Sequence, residues 1–576
     1  MYVLALATDY DGTIAQHGLV DEATIDSLTR FKQTGRRLVL VTGRALPDLL
    51  RVFPSIGLFD RVVVENGALL YDPKEDAERV LSPAPPDIFV ERLRQRGVSP
   101  LTVGRSIVAT WHPNETTVLD VIQELGLELQ IIFNKGAVMV LPTGVNKAAG
   151  LAVALRELEL SPHNVIGVGD AENDHAFLRL CGGAAAVANA LPTVKAAADI
   201  CLAMDHGAGV IELTDRICRD DAGILPQGRL AICVGFDRDE NEVCIEPHWG
   251  SVLIAGTSGI GKSTLATALT ERMVEKNFEF CVLDPEGDYD QLEHAVSIGD
   301  AKTPPRTEEA IKLLRKIGAN VVINTQNLAV AERPGFFAKL LAQIAALRAS
   351  TGRPHWLIID EAHHLLPASR KDIAEVLPDE SPAAILITVH PDAVLPAALE
   401  QVAVVIALGE RASDVLAAFS LAVGGEAPAS EIAGQPADDE VLVWIRSTGG
   451  APRWVKPLRS RQMHKRHTRK YAEGDLGPER SFFFRGPNND LNLRAQNLML
   501  FLQIADGVDD RTWEHHLRAG DYSNWFRHQI KNDELAREAA EVERDFDLDI
   551  AESRRRISEA VTARYTSPAT AKTSRE

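Results

Sequence analysis

The chain has 576 residues, 45% of them hydrophobic and 25% charged, with a formal net charge of -20. One hydrophobic core does not grow to that length, so about three or four domains of roughly 100–200 residues are expected. The acidic balance excludes wrapping of nucleic acid by the whole surface, and no apolar run is long enough to span a bilayer.

The first residues are apolar but short and carry no basic leader, which reads as a buried strand and not as a signal peptide. Up to about residue 220, short β-rich runs alternate with amphipathic helical stretches, with strands expected at 3–8, 37–42, 61–65 and 164–169. Such alternation predicts a parallel sheet with crossover helices. Residues 80–144 break the rhythm, beginning with Pro83, Pro85 and Pro86, and read as an inserted α+β cap. The N-terminal core is then 1–79 together with 145–220.

Asp9 and Asp11 stand at the end of the first strand, followed by Gly12 and Thr13. Carboxylates two residues apart on a strand point the same way, so one can attack phosphorus while the other handles protons. Gly12 permits a sharp turn. Thr42, before Gly43 and Arg44, offers a phosphate its hydroxyl and a backbone N–H. Lys147 precedes an apolar helix and can neutralise phosphate charge. The segment 169–174, with Asp170 and Asp174, ends another strand and offers carboxylates to a hard cation such as Mg2+. All four segments fall at or beyond the C-terminal ends of expected parallel strands, where open α/β sheets place ligands.

In this order the four segments resemble the motifs of the haloacid dehalogenase phosphatase superfamily. Glu65, Asn66 and Gly67, with the place of the insertion, resemble its type IIB branch of Cof-like and sugar-phosphate phosphatases. The resemblance covers about residues 1–215. It implies a Rossmann-like core under a substrate-selecting cap, acting on a small phosphorylated metabolite. It implies Asp9 as nucleophile through an aspartyl-phosphate, Asp11 as general acid/base, and Thr42 and Lys147 as holders of the phosphoryl group. Mg2+ would be bound by Asp9, the Asp11 carbonyl and Asp170, with Asp174 supporting and Asn173 near the phosphate. In the cap, Arg105, Trp111 and His112 are candidates either to face the cleft or to be structural or solvated.

After a break near 220–227, a hairpin is expected from 229–235 and 242–246, opening a second α/β block of 226–450. Gly256, Thr257, Ser258, Gly259, Ile260, Gly261, Lys262, Ser263 and Thr264 fit the pattern G-x-x-x-x-G-K-[ST] between an apolar strand and an apolar helix. The glycines let backbone N–H groups wrap the phosphates of ATP, Lys262 reaches the β- and γ-phosphates, and Ser263 binds Mg2+. A later apolar strand ends in Asp360, placed to hold Mg2+ through water, and Glu361, placed to activate the attacking water. That glutamate points to hydrolysis and away from a P-loop kinase. His363 and His364 read as polar surface. A third strand ends in an acidic turn at 284–289, and a fourth, 385–390, brings Thr388 or His390 to a sensor position.

These markers resemble HerA/FtsK-type ATPases over about residues 226–447. The resemblance implies a RecA-like fold and a homo-oligomeric ring, a hexamer among its forms, in which one subunit's arginine reaches the neighbour's ATP. Arg411, Arg353 and Arg370 are the candidates. The chain departs from the family where HerA-like proteins commonly carry a sensor glutamine, and a phosphatase replaces their N-terminal barrel.

Residues 451–477 read as a basic linker, with Arg453, Lys456, Arg459, Arg461, Lys465, Arg466, Arg469 and Lys470 and no acid between 453 and 470. It is either a solvated connection or a contact for nucleic acid or an acidic neighbour. Residues 478–545 read as a small helical domain, with segments at 491–505, 510–518, 522–530 and from 533. Residues 546–576 read as a partly disordered tail. The six cysteines sit singly, without zinc or disulfide spacing, and read as reduced core thiols of a cytoplasmic protein.

Four functions follow from these features. The leading one is an Mg2+-dependent phosphatase fused to an oligomeric ATPase that regulates or organises it. The second is a HerA-like ring that translocates nucleic acid or remodels a partner, with the phosphatase as effector, in a defence role among others. A polynucleotide kinase–phosphatase is disfavoured by Glu361 and by the cap. The fourth is a scaffold that uses ATP binding for assembly.

Overall fold

A computed structural model describes residues 2–134, 136–370, 383–425, 437, 439–446, 449–461, 476, 480–488, 490–530 and 532–565. They fall into two compact units, Met1–Ser460 and Arg461–Glu576. No described helix is long and apolar enough to cross a membrane.

The first unit opens with β1 (Ala5–Thr8), β2 (Arg37–Val41), β3 (Arg61–Val64), β4 (Leu69–Asp72) and β5 (Ala77–Val80). The inserted region follows as β6 (Thr102–Val103), β7 (Val108–Trp111), β8 (Leu129–Asn134) and β9 (Ala137–Pro142). The chain then returns through β10 (Val165–Gly169), β11 (Gly183–Ala186) and β12 (Ile200–Cys201). The core sheet has the order β12-β11-β10-β1-β2-β3-β4-β5. Its central strands are parallel, and β1, between β10 and β2, is buried throughout, as befits a strand covered on both faces. The chain reverses from β3 to β4 at Glu65–Gly67, where Glu65, Asn66 and Gly67 all have positive φ. A Cβ on Gly67 would stand 2.0 Å from the Asn146 carbonyl oxygen, so only glycine lets this turn meet the helix Lys147–Glu157 at its start. The inserted cap is an antiparallel sheet, β6-β7-β9-β8, with the helices Asp87–Gln95 and Glu115–Leu125 and a small core including Phe89, Leu93, Val118 and Val140.

A second sheet follows, from β13 (Ile232–Asp237), β14 (Glu242–Ile245), β15 (Ser251–Ala255), β16 (Phe280–Asp284), β17 (Ala295–Ile298) and β18 (Asn320–Asn324), then β19 (Trp356–Ile359), β20 (Ala384–Thr388), β21 (Val402–Leu408), β22 (Val441–Ile445) and β23 (Arg453–Pro457). The order is β14-β13-β23-β22-β21-β15-β20-β19-β16-β18-β17. The seven strands from β21 to β17 are parallel, and the other four extend the sheet antiparallel. The expected basic linker therefore needs correction, because it begins as a sheet strand. Arg453 pairs with Asp237 at 3.2 Å and Lys456 with Asp439 at 3.2 Å. Lys465, Arg466, Arg469 and Lys470 lie outside the described residues.

The two sheets join at the N-terminal ends of their strands. Just before β10, the His163 ring stacks on Phe278, centroids 4.1 Å apart, just before β16. His355, just before β19, accepts the Glu279 N–H at Nδ1 (2.8 Å), so its Nε2 carries the proton and donates to Ser161 Oγ (2.8 Å). Burial holds His355 well below the ordinary imidazole value and keeps it neutral. Arg353, fully buried, donates to the carbonyls of Glu159 (3.0 Å) and Arg315 (3.2 Å) and pairs with Glu279 (3.5 Å). It is bound at this junction, at the wrong end of the strands to serve a neighbour's nucleotide. Each sheet's C-terminal edge lies one strand, about 16 Å, away from the junction.

The second unit holds the hairpin β24 (Phe482–Phe484) with β25 (Leu493–Ala495) and five helices: Leu498–Gly507, Asp510–Ala519, Asp521–His528, Asp533–Arg544 and Ile550–Tyr565. Two expectations change here. The segment 491–505 starts as a strand, and the tail of 546–576 contains a helix that buries Ile557 and Val561 in the aromatic core. The cysteines also differ from expectation. Only Cys181 and Cys281 are buried, Cys201 and Cys218 are exposed, and Cys233 and Cys244 are half-exposed partners across β13 and β14.

Candidate active sites

The C-terminal edge of the first sheet gathers Asp9 after β1, Thr42 after β2, and Asp170 and Asp174 after β10, with Lys147 entering from the helix beyond the cap. Lys147 Nζ donates to Asp9 Oδ1 (2.5 Å) and Asp174 Oδ1 (2.5 Å), and all three are buried. Burial works against the lysine's charge, yet Asp174 and Asp9 hold it above the ordinary lysine value. Asp9 is 4% exposed, and burial drives its carboxyl up against the pull of Lys147. Asp174 Oδ2 accepts the N–H groups of Asp170 (2.8 Å) and Ala171 (3.0 Å), which fixes the loop. A Cβ on Gly169 would lie 2.6 Å from that same carboxylate oxygen, hence the glycine. Thr13 Oγ donates to Asp170 Oδ1 (3.2 Å), and Thr42 Oγ accepts from Arg44 N–H (3.1 Å).

Asp9, Asp170 and Asp174 bring ligand oxygens within 4.8 Å of one another. Three buried carboxylates against one ammonium leave a negative excess, which suits a hard divalent cation. The Asp11 carboxylate stands apart from this group. It accepts a bidentate pair from Arg44, Nε at 2.6 Å and Nη2 at 2.7 Å, while Arg44 Nη1 also reaches Asp48 at 2.5 Å. Nothing in the sequence around Arg44 marks this task; only the fold shows that it holds the second aspartate.

Two further contacts tie the cap to this edge. Glu65, fully buried in the core domain, accepts the backbone N–H groups of cap residues Arg105 (2.8 Å) and Ser106 (2.7 Å). Met139 of β9 overhangs this edge: a Cβ on Gly43 would meet its Cε at 3.1 Å and Asn173 Nδ2 at 3.8 Å. Asn173 donates to Asn66 Oδ1 (3.1 Å). The other cap candidates are solvent-facing. Arg105 is exposed and pairs with Glu78, Trp111 is exposed, and His112 pairs with Glu115.

The second site lies at the C-terminal edge of the second sheet. Between β15 and the helix Lys262–Glu275 the loop turns through Gly259 and Gly261, both with positive φ. A Cβ on Gly256 would press to 2.8 Å from the Leu408 carbonyl oxygen. Thr257, Ser258 and Ile260 form the exposed rim, with Ser263 and Thr264 in the helix's first turn. Lys262 folds back to the carbonyls of Gly256 (3.0 Å) and Thr257 (3.0 Å). Burial lowers its pKa, opposed by Glu361, Asp360 and Glu286. Asp360 is buried after β19, and its Oδ1 accepts the Glu361 N–H (2.9 Å). Glu361 itself sits at φ 44°, a strained conformation for a non-glycine residue, and its buried Oε2 accepts no hydrogen bond from a described residue, with His363 Nδ1 3.4 Å away.

The acidic turn after β16 contributes more than its charge. Asp284 accepts the N–H groups of Glu286, Gly287, Asp288 and Tyr289, and burial pushes its carboxyl up to about 6. This shapes the turn so that Asp288 Oδ2 accepts from Ser263 Oγ (3.3 Å), a partner the motif did not announce. His363, expected as polar surface, is instead half-buried. Its Nδ1 lies 3.0 Å from Thr388 Oγ, and burial lowers it to about 4. Thr388 also accepts the His390 N–H (3.0 Å), so β20 touches the Glu361 turn through His363. Arg411 is 80% exposed and, among the described residues, pairs only with its neighbour Asp414 in the helix Ala412–Ala422.

Residues 6–108 and 120–213 match the model of the haloacid dehalogenase-like hydrolases, and residues 232–349 match that of the central domain of the helicase HerA. Phosphoglycolate phosphatase 2 of Saccharolobus solfataricus is 30% identical over 230 residues, which span 38% of this chain and 94% of the relative. The phosphoglycolate phosphatase of Halorubrum lacusprofundi is 32% identical over 220 residues, 36% of this chain and 95% of the relative. A crystal structure of a haloacid dehalogenase-like hydrolase from Bacteroides thetaiotaomicron aligns with 20% identity and a TM-score of 0.33, over 37% of this chain and 98% of that one.

Proposed function

The chain belongs to the haloacid dehalogenase-like hydrolases and carries a HerA central domain behind that hydrolase, and from this premise we propose that it is a phosphatase of a small phosphorylated acid or sugar. The observation that carries the reading is the buried group of Asp9, Lys147, Asp170 and Asp174 at one sheet edge under a cap. The relatives named as phosphoglycolate phosphatases favour 2-phosphoglycolate as the first substrate to test.

In this reading an Asp9 oxygen forms a bond to phosphorus as the ester P–O bond breaks, giving an aspartyl-phosphate. Asp11, released from Arg44 and protonated from solvent, gives that proton to the leaving oxygen. It then takes one from the water that attacks phosphorus and frees phosphate and Asp9. Lys147 and Thr42 hold the phosphoryl oxygens. Asp9, Asp170 and the Asp11 carbonyl would hold Mg2+, with Asp174 behind them, and the ion supplies charge neutralisation when bound. Glu65 and Met139 set how the cap sits over the substrate. In the second site, Lys262, Ser263 and Asp360 would bind Mg2+–ATP and Glu361 would take the proton of the attacking water. An oligomer built on this domain would organise or regulate the phosphatase.

Phosphate release from 2-phosphoglycolate by the full chain should stop when divalent cations are chelated and return in full on adding Mg2+. Turnover that persists after complete chelation would refute the cation-dependent reading. The HerA match supports a second reading, a ring acting on nucleic acid or a protein with the hydrolase as effector. The pairing of Arg453 and Lys456 with Asp237 and Asp439 leaves that stretch less charge to offer phosphates.

A further inference from the structure

Among the described residues, two groups of side chains bring three metal-ligating atoms together. One is the Asp9 group. The other is Cys233, Glu242 and Cys244, whose two sulfurs and one carboxylate oxygen lie within 4.8 Å of one another. The strand period produces this second group. Ile232, Val234, Val243 and Ile245 turn into the core, so Cys233, Glu242 and Cys244 share the opposite, more open face of the hairpin. Cys233 stands directly across from Cys244, and Glu242 precedes Cys244 by two residues on the same strand. A register shift between Cys233 and Gly235 bends β13 here, and Cys233 Sγ reaches the Gly235 carbonyl at 3.6 Å. The Glu242 side chain makes no hydrogen bond or ion pair with a described residue.

We propose that Cys233, Cys244 and Glu242 form a site for a thiophilic divalent cation, Zn2+, with solvent in the remaining position. Two thiolates and a carboxylate suit Zn2+ and not Mg2+, which takes oxygen ligands. With Zn–S near 2.3 Å and Zn–O near 2.0–2.2 Å, tetrahedral ligand atoms stand roughly 3.5 Å apart, so rotamer adjustments alone close the site. Each thiol releases its proton to solvent as its Zn–S bond forms, and no oxidant is involved. The ion would clip the edge strand β14 to β13, on a face that lies within electrostatic reach of Arg272 in the helix that starts at Lys262. Arg272 is itself paired with Glu271 at 3.1 Å, which tempers its repulsion of a cation.

The test uses the full chain, reduced, freed of metal and titrated with Co2+ as a spectroscopic stand-in for Zn2+. One equivalent should raise a thiolate-to-cobalt charge-transfer band, and Zn2+ should bleach it. The band should vanish in Cys233→Ser and in Cys244→Ser, and Glu242→Gln should weaken binding by about tenfold or more. The Asp9 group has no sulfur and cannot give this band, so Co2+ bound there is distinguished. Unchanged ATP hydrolysis in the serine variants shows that they fold. Absence of the band, or a band that survives Cys233→Ser, overturns the proposal. So does a metal-free chain, isolated without reductant, whose mass is two hydrogens short in the peptides bearing Cys233 and Cys244, since that is a disulfide pair.

Discussion

Asp9→Asn should lower phosphomonoester turnover of the full chain by at least about 10³-fold while ATP hydrolysis stays at the wild-type rate. The size of the loss follows from the part proposed for Asp9, because an amide cannot form the acyl-phosphate and no other carboxylate occupies its place after β1. The substitution is nearly isosteric, and the amide oxygen can still accept from Lys147, so the core should remain intact. It also removes one of three buried carboxylates that press on one another, so thermal stability without a bound cation should not fall. ATP hydrolysis should be spared because each site lies at the far end of its strands from the junction at His163, His355 and Glu279. Steady-state phosphate release and ATPase assays on the one preparation measure both. Equal phosphatase turnover in wild type and variant would remove Asp9 as nucleophile.

Glu361→Gln should reduce ATP hydrolysis by roughly 10²–10³-fold with ATP still bound. The side chain has a buried oxygen without a hydrogen bond from a described residue, its backbone is held at φ 44°, and burial and Glu286 raise its pKa. A carboxylate in such a setting is a better base than an exposed one. Glutamine keeps the shape and loses the base. Nucleotide binding should survive because the loop backbone and Lys262 make no use of Glu361 through hydrogen bonds. Single-turnover hydrolysis, beside equilibrium binding of a fluorescent ATP analogue, separates the two effects. A variant that hydrolyses ATP at the wild-type rate would exclude Glu361 as the base.

The residues at both sheet edges were legible because each follows a short apolar strand and chemistry restricts what can stand there. Asp9, Asp170 and Asp360 needed only a strand end and a carboxylate. The Glu65–Gly67 turn was also visible, although its reason, the approach of Asn146, was not. Contacts between residues distant in sequence stayed hidden. Ser161 and His355 meet across 194 positions, and nothing local in either segment announces it. The pairing of Cys233 with Cys244 depends on strand register, which spacing does not specify.

Charge hid a short apolar pair. In Arg453–Pro457, Arg453 and Lys456 are exposed while the adjacent Trp454 and Val455, on opposite faces of the strand, are both buried, so the segment is a covered strand inside a basic run. Ile557 and Val561 form so sparse an apolar stripe among Arg and Glu that their helix resembled a solvated tail. His363 looked like surface because its partner, Thr388, comes from another strand.

The most direct measurement is phosphate release from a panel of 2-phosphoglycolate, sugar phosphates and nucleotides, with and without ATP, by the wild-type chain and by Lys262→Ala. Turnover of at least one small phosphate by both proteins is expected, with any effect of ATP lost in Lys262→Ala. No turnover of any small phosphate, beside clear ATP hydrolysis by the wild type, would contradict a metabolite phosphatase and leave the ATPase as the working half of the chain.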